Sequence, residues 1–157
     1  MIRNEWHRFG YACVNFGAPV SMREYVRVRD IDFGKLDRAE RYARIAELGS
    51  HLMQGVGRLI PVLPVPLVAL AFDRNPGRSL SELEIKSEVE ALIARLESNG
   101  AHIYIPRRDR DYAITAGLRM MLLRHMVVAQ DGLYAANPAE AMLLRYYANS
   151  IAHLLAE

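Results

Sequence analysis

Three polar side chains near the end of the sequence, Tyr146, Asn149 and His153, have residue types and a spacing that could form a small chemical site. They are three and four residues apart, so on a helix they share one face. A phenol, an amide and an imidazole could hydrogen-bond to one another or to a ligand. We favour the alternative, a satisfied polar patch where this helix docks on the rest of the chain, because no nucleophile, metal cluster or anion-binding loop accompanies them.

The histidines and the single cysteine show no recognisable catalytic or metal-binding spacing. No HExxH motif, CxxC motif or carboxylate cluster surrounds the five histidines, which are His7, His51, His102, His125 and His153. Cys13 has no second cysteine with which to form a disulfide. His125 follows a predicted helix, where an imidazole would interact with the helix dipole. The sequence therefore predicts neither a metal nor a cofactor.

Length, composition and charge indicate a packed globular protein. The chain has 157 residues, of which 52% are hydrophobic and 24% are charged. A net charge of +2 argues against a dedicated nucleic-acid binder. The most apolar uncharged stretch, residues 59–72, contains three prolines and is shorter than the roughly 20 residues of a spanning helix. We expect this stretch to be a docking or membrane-interfacial surface in a cytoplasmic protein.

The first half of the chain predicts one strand and two helices. Residues 11–16 alternate between two faces and read as a strand, but no partner strand of similar quality follows for about eighty residues. Apolar residues at three- and four-residue spacing predict a long amphipathic helix over residues 37–59. Residues 67–72 could form a short helix that is apolar on every side, and such a helix must be covered by protein or by lipid. The isolated strand suggests that the sequence begins partway through a domain.

The second half predicts helix, helix, hairpin and helix. Ser81 and Glu84 form a capping box for a helix that ends at Asn99. A possible short strand over 101–105 precedes a helix over 112–124, and residues 127–128 and 133–134 flank an Asp-Gly turn typical of a hairpin. Asn137 caps a last helix that runs to about residue 155. The fold class is mainly α with minor β.

The order of two helices followed by a hairpin is typical of a winged helix. In that interpretation residues 112–124 form the recognition helix and residues 131–132 the tip of the wing. Arg119 and Arg124 are the only cations of that helix, which suits contact with protein better than a DNA groove. A winged-helix-like module that binds protein or nucleic acid is therefore the second functional hypothesis.

Three segments together resemble one enzyme family, the bacterial glycerol-3-phosphate acyltransferases. Residues 10–25 (GYACVNFGAPVSMREY) resemble the strand and turn near the end of the acyltransferase domain. Residues 59–72 (LIPVLPVPLVALAF) are similar to the apolar segment that opens the C-terminal region. Residues 144–154 (LRYYANSIAHL), which include Tyr146, Asn149 and His153, are similar to the closing helix and are the most specific of the three.

The resemblance implies the family's chemistry but places none of its catalytic residues on this chain. The family transfers a fatty acyl group from an acyl thioester to the 1-hydroxyl of glycerol 3-phosphate, using a His base followed five positions later by an Asp. The residues five positions after His7, His51, His102 and His125 are Ala12, Val56, Arg107 and Gln130, and His153 lies too close to the end of the sequence. The arginine-bearing motif that binds the substrate phosphate also finds no match. We therefore expect no catalytic residue and no activity from this chain alone.

The resemblance also implies a domain organisation and partners. Residues 1–34, with the strand over 11–16, would be the tail of a truncated α/β acyltransferase domain, and residues 35–157 a helical C-terminal domain. The implied partners are the upstream acyltransferase domain and the membrane surface at the inner face of the cell membrane. Acyl thioester and glycerol 3-phosphate would bind only through the missing catalytic domain, and no cofactor is implied.

Overall fold

The structure, a computed structural model, describes residues 12–155, so His7 and Tyr11 lie outside the described residues. Within that range the chain forms six α-helices and three short β-strands. It divides into two compact units, one of residues 15–60 and the other of residues 61–155 with residues 12–14. No helix in the described range is both long and apolar enough to cross a bilayer.

The unit of residues 15–60 is built from two helices, α1 (Met22–Val28) and α2 (Arg38–Arg58). Asp37 caps α2, because its side chain accepts from the Glu40 N–H while the Glu40 carboxylate accepts from the Asp37 N–H. The helix predicted over residues 37–59 is therefore confirmed. Helix α1 was not predicted, since seven residues are too few for a clear periodicity.

Tyr25 is the residue that joins the two helices of this unit. Its side chain is 5% exposed, and its ring centroid lies 5.4 Å from that of His51 on α2. Asn15 contacts the C-terminal end of α2, because its Nδ2 donates to the Leu59 carbonyl oxygen over 2.7 Å. The predicted domain boundary between residues 34 and 35 falls inside this unit.

Residues 12–16 form no β-strand in the structure, in contrast to the strand predicted over 11–16. Val14 and Phe16, which alternation places on one face, are 76% and 92% exposed. A strand requires a neighbour for its ladder of hydrogen bonds, and none of the described residues supplies one.

The core of the second unit surrounds α3 (Pro64–Asp73). Pro64 and Pro66 lie in the first turn, where a missing N–H breaks no hydrogen bond within the helix. The segment Leu67–Phe72 is at most 4% exposed, and α3 makes its most extensive contacts with α6 and α5. The expectation of a docking or membrane-interfacial surface is therefore wrong for residues 67–72, because the chain's own helices cover all sides of α3.

Helices α4 (Glu82–Ser98) and α5 (Arg110–Leu123) follow β1 (Ser79–Ser81). The capping box of Ser81 and Glu84 is present at the start of α4, as predicted. Helix α5 begins two residues earlier than predicted, because the Asp109 side chain accepts from the Tyr112 N–H and caps it there. Residues 101–105 form only one parallel bridge, between Val62 and Ile103, instead of the possible strand.

A three-stranded antiparallel sheet lies beside these helices. Strands β2 (Val127–Gln130) and β3 (Leu133–Ala136) form the predicted hairpin, and β1 pairs with β3 to give the order β1-β3-β2. Asp131 and Gly132 both have positive φ, 52° and 77°, as a tight hairpin turn requires. Strand β1 was not predicted, because three residues carry no detectable alternation.

The last helix, α6 (Ala141–Ala152), lies between two 3-10 turns, Pro138–Glu140 and His153–Leu155. Asn137 caps the first turn, since its side chain accepts from the Ala139 N–H. Every member of the main apolar core lies between Val62 and Leu155. The structure confirms a mainly helical chain with a small antiparallel sheet.

Candidate functional site

The three polar residues predicted from the sequence lie on the solvent-facing side of α6 and the turn after it. Tyr146 is 71% exposed, and Asn149 and His153 are also exposed. The Tyr146 ring meets the Tyr147 ring edge-on, with centroids 5.7 Å apart. In the described part of the chain, the Asn149 side chain makes no hydrogen bond. We therefore call the exposed set Tyr146, Asn149 and His153 the α6 polar face.

Helix α6 packs on the rest of its unit through the opposite side. Leu144, Ala148 and Ile151 are buried there, at no more than 4% exposure. Tyr147 lies at the edge of this contact, where its hydroxyl accepts a hydrogen bond from the Arg124 guanidinium. Arg124 directly follows α5, so this bond joins α5 to α6. The buried side of α6 includes no member of the α6 polar face, so the predicted patch is not where α6 packs on the rest of its unit. A docking role for the α6 polar face stays a prediction.

The chemistry open to the α6 polar face is hydrogen bonding. Its three members are a phenol, an amide and an imidazole, and no carboxylate belongs to the set. Residues 12–155 also bring together no group of three His, Cys, Asp or Glu side chains that could hold a metal ion. Such a face suits recognition of a partner surface.

A small cleft of about 120 Å³ lies between α4, α5 and β3. Its floor is apolar, with Ile114 and Leu118, and Lys86 stands at its rim. Hydrogen bonds to Asp111 and then to Glu82, at 2.7 and 3.0 Å, raise the pKa of Lys86 above its ordinary value. Asp111 and Glu82 already engage this ammonium group, whereas Arg119, which also lines the cleft, makes no ion pair with another described residue.

The unit of residues 15–60 carries a shallow open groove that the sequence did not predict. The Arg29 guanidinium lies 4.0 Å from the Tyr25 ring centroid, and His51 and Glu47 also line the groove. These residues come from two helices, and a contact between positions 25 and 51 has no signature in the local sequence pattern.

The apolar face of α2 is not covered by the described part of the chain. The sequence predicts an amphipathic helix, whose apolar side normally faces a core, but none of the 21 residues of α2 is buried. We call the α2 apolar face the set of its exposed large apolar side chains, Tyr42, Ile45, Leu52, Met53 and Val56. The pattern identifies the face but contains no information about whether the chain covers it.

Comparison with known proteins places the chain in one family. Residues 2–157 match the family described as the glycerol-3-phosphate acyltransferase C-terminal region. The glycerol-3-phosphate acyltransferase of Pseudomonas putida strain KT2440 is 25% identical in an alignment of 157 positions that covers 95% of this chain and 19% of that protein. The corresponding proteins of Pseudomonas syringae pv. syringae and Pseudomonas fluorescens strain SBW25 are each 27% identical with the same coverage.

No solved structure matches the chain. The chain spans about a fifth of the length of the curated relatives that it matches. The family match, in contrast, extends over almost every residue of the chain. The chain therefore belongs to the family of glycerol-3-phosphate acyltransferase C-terminal regions.

Proposed function

We propose that this chain is the non-catalytic C-terminal portion of an enzyme that transfers a fatty acyl group from an acyl thioester to the 1-hydroxyl of glycerol 3-phosphate in phospholipid biosynthesis. The observation that carries the proposal is the family match over residues 2–157. The relatives bear the name of the whole enzyme, and the chain corresponds to 19% of their length. In this proposal the catalytic residues lie in the remaining part of the enzyme.

The surroundings of the described histidines support the absence of a catalytic role. Attack of a hydroxyl on a thioester needs a base oriented by a partner and donors for the developing oxyanion. His51 lies against the Tyr25 ring, and the His125 backbone ends a helix. His153 is exposed on the α6 polar face. His51 lines an open groove, and His102 is exposed on the surface.

The role of the chain is to cover the catalytic domain and to shape the side of the enzyme that faces the membrane. In the proposed organisation residues 1–34 are the tail of the acyltransferase domain and residues 35–157 the helical C-terminal domain. The α6 polar face is a docking surface for the upstream domain, through which acyl thioester and glycerol 3-phosphate bind. The enzyme is peripheral, at the inner face of the cell membrane.

Residues 64–136 form a winged-helix-like segment. Its support is the order α3, β1, α4, α5, β2, β3 together with the sheet order β1-β3-β2. In this arrangement α5 is the recognition helix, but ion pairs from Glu90 and Glu97 engage its Arg110 at 2.9 and 2.7 Å. The charge of Arg110 is therefore compensated, and Arg119 is the one cation of α5 that no ion pair among the described residues engages. A single such cation favours contact with protein over contact with nucleic acid.

A full-length chimera tests the proposed function. The chain replaces the region that it matches in the Pseudomonas putida acyltransferase, and lysophosphatidate formation from glycerol 3-phosphate and a long-chain acyl thioester is measured. We expect activity from the chimera and none from the 157-residue chain. Turnover by the chain alone that disappears on replacement of one histidine would contradict the non-catalytic role.

A binding assay tests the second hypothesis, a nucleic-acid-binding module. The chain is titrated with duplex DNA at several salt concentrations, because phosphate contacts make affinity fall steeply with salt. We expect no salt-dependent binding. Tight binding that weakens with salt would favour the nucleic-acid module over the acyltransferase portion.

A further inference from the structure

We infer that residues 12–60 complete the upstream acyltransferase domain, which covers the α2 apolar face and pairs with residues 12–16 as a strand. The inference rests on the proposed function, and it specifies which surface of this chain contacts the upstream domain. It also moves the domain boundary from residues 34/35 to residues 60/61. The occupant is the acyltransferase part of the longer polypeptide.

The first observation is the size and continuity of the α2 apolar face. With 21 residues, α2 is about 31 Å long at 1.5 Å per residue. Its five large apolar side chains are between 41% and 66% exposed. Contiguous apolar surface of this kind on a soluble domain marks an interaction site.

The second observation is that α1 leaves the α2 apolar face open. Helix α1 approaches the side of α2 that carries Ala43, Ser50 and His51, where Tyr25 and Arg29 lie. The side chains on this side of α2 are small or polar. Helix α2 therefore uses its polar side for contact inside the unit and presents its apolar side outward, the reverse of a helix whose core partner is present.

The third observation is the strand-like segment that is tied to the same helix. Residues 12–20 make no backbone-to-backbone hydrogen bond within the described part of the chain. Asn15 nevertheless anchors the segment to the end of α2 through the Leu59 carbonyl oxygen. Gly17 also lies against this end of α2, because a Cβ built there would stand 2.7 Å from the Cδ1 atom of the flexible Leu59 side chain. A strand-type segment and a helix are thus held together while both lack their partners.

These observations together favour a protein layer as the occupant. A bilayer could accept the α2 apolar face, but it cannot satisfy the unpaired backbone of an extended segment. A second copy could contribute another residues 12–16, but two strands alone are marginally stable. A protein domain with an open sheet edge beside an apolar layer would pair with residues 12–16 and cover the α2 apolar face. About four fifths of each relative's length lies outside the matched region and could form such a domain.

Thiol labelling in the chimera tests the inference. In a Cys13→Ser background, Leu52→Cys reports the α2 apolar face, and the matched control Arg44→Cys reports an exposed position on another side of α2. The Arg44–Glu47 ion pair lost in the control is exposed and contributes little. Labelling at each position is read by mass spectrometry of the modified peptide.

We expect Leu52→Cys and Arg44→Cys to react at similar rates in the 157-residue chain. In the chimera, burial should slow Leu52→Cys by about 100-fold and leave the control unchanged. Equal rates in the chimera would overturn the inference. Slow labelling of Leu52→Cys in the isolated chain on addition of vesicles containing phosphatidylglycerol would overturn the inference in favour of a bilayer. Slow labelling of the isolated chain only at high protein concentration would overturn it in favour of a second copy.

The same chimera separates failure of the inference from failure of the proposed function. Acyl transfer with rapid labelling of Leu52→Cys would retain the function and reject the inferred interface. Slow labelling without acyl transfer would retain the interface and reject the function.

A shortened chain gives a second test that does not depend on the chimera. Because the core lies between Val62 and Leu155, a chain that begins at Pro61 should keep a cooperative thermal transition within about 4 °C of the parent's main transition. Loss of that transition would show that residues 12–60 belong to the same folding unit, and it would overturn the inference.

Discussion

His125 shows how a single residue can end a helix at an energetic cost. Its φ is 57°, in the left-handed region that glycine adopts most easily. Its N–H donates to the Leu122 carbonyl, and the next N–H, of Met126, donates to the Met121 carbonyl, both over 3.0 Å. This pair of bonds is the Schellman ending of a helix. Gly100 has φ 75° and occupies the same position after α4.

We predict that His125→Gly raises the free energy of unfolding by about 0.5–1 kcal/mol. Relief of the left-handed strain, about 1–2 kcal/mol, exceeds the added entropy of glycine in the unfolded chain. The control is Gly100→Ala, which meets no atom within 4 Å and should lower stability by about 1 kcal/mol through strain alone. Urea unfolding measures both. A less stable His125→Gly variant would show that the imidazole itself contributes, as the helix-dipole interpretation expects.

The capping box of α4 makes stability depend on pH in a predictable direction. Hydrogen bonds from the Ser81 backbone N–H and then from its hydroxyl lower the pKa of Glu84 below its ordinary value of 4.5. The carboxylate therefore stabilises the folded state above pH 4.5, and this contribution is lost as pH falls through the lowered folded-state pKa.

We expect Ser81→Ala to lower stability by about 1 kcal/mol at pH 6, through loss of the cap. The same variant should show a smaller loss of Tm than the parent between pH 5 and pH 3, since its Glu84 pKa lies closer to the unfolded value. Ser87→Ala, an exposed serine of α4 outside the capping box, is the control. Identical acid sensitivity in all three proteins would contradict the assignment.

At the scale of elements, the close contact between α3 and α5 depends on Gly117. A Cβ at this position of α5 would stand 2.7 Å from the Pro64 carbonyl oxygen and 2.9 Å from Val68 Cγ2 of α3. The Pro64 oxygen belongs to the backbone, so it cannot move aside as a side chain could. Glycine therefore sets the separation of α3 and α5.

We predict opposite signs for one substitution at two glycines. Gly117→Ala should lower the free energy of unfolding by about 1–3 kcal/mol through overpacking. Gly55→Ala, in α2 with no atom within 4 Å, should stabilise its helix by up to about 1 kcal/mol. Thermal melts of the whole chain measure the first effect, and helicity by circular dichroism the second. Destabilisation at both positions would refute the packing explanation.

The elements that local chemistry specifies were predicted from the sequence, and those that depend on distant partners were not. The capping box of Ser81 and Glu84 predicted the start of α4, and the spacing of apolar residues over 37–59 predicted α2. Strand β1 exists only because β3, more than fifty residues later, pairs with it. In the same way, the all-apolar pattern of residues 67–72 predicted a covered helix but not which elements cover it.

Burial of α3 predicts a large effect at its centre. Phe72 has no exposed surface, so Phe72→Ala should lower the free energy of unfolding by about 3–5 kcal/mol. Leu83→Ala, at a side chain that is 77% exposed, should change it by less than about 0.5 kcal/mol. Chemical denaturation measures both variants. Similar costs at the two positions would mean that α3 is not enclosed as described.

For the whole molecule, the two units differ in what stabilises them. The second unit has an apolar core, and ion pairs of Lys86 and Arg110 link α4 to the start of α5. In the first unit α2 buries none of its residues. Isolated helices without tertiary packing are marginal in water.

Hydrogen exchange should therefore separate the two units of the isolated chain. We predict that amides of α2 exchange at least about 100-fold faster than those of α3, because α2 opens without loss of core contacts. Exchange of the intact chain, followed by mass spectrometry of its peptides, provides the measurement. Equal protection of α2 and α3 would contradict a weak first unit.

The sequence predicted the family but not whether the candidate surfaces are exposed or buried. Three segments spread over the whole chain carried the resemblance, and family membership follows from the match over residues 2–157. Exposure of Tyr146, Asn149 and His153 depends on which side of α6 meets α3, and residue spacing gives only their common face.

The enclosure of α3 has a consequence for the synthesis of the protein on the ribosome. Helix α6 begins about 70 residues after α3 ends, and at a rate of about 5–20 residues per second that interval lasts roughly 4–14 s. During this time the emerging chain carries a helix that is apolar on every side, without the element that makes its most extensive contact. Residues 64–73 are therefore the segment of the nascent chain at which a ribosome-associated chaperone would bind, and the arrival of α6 would release it.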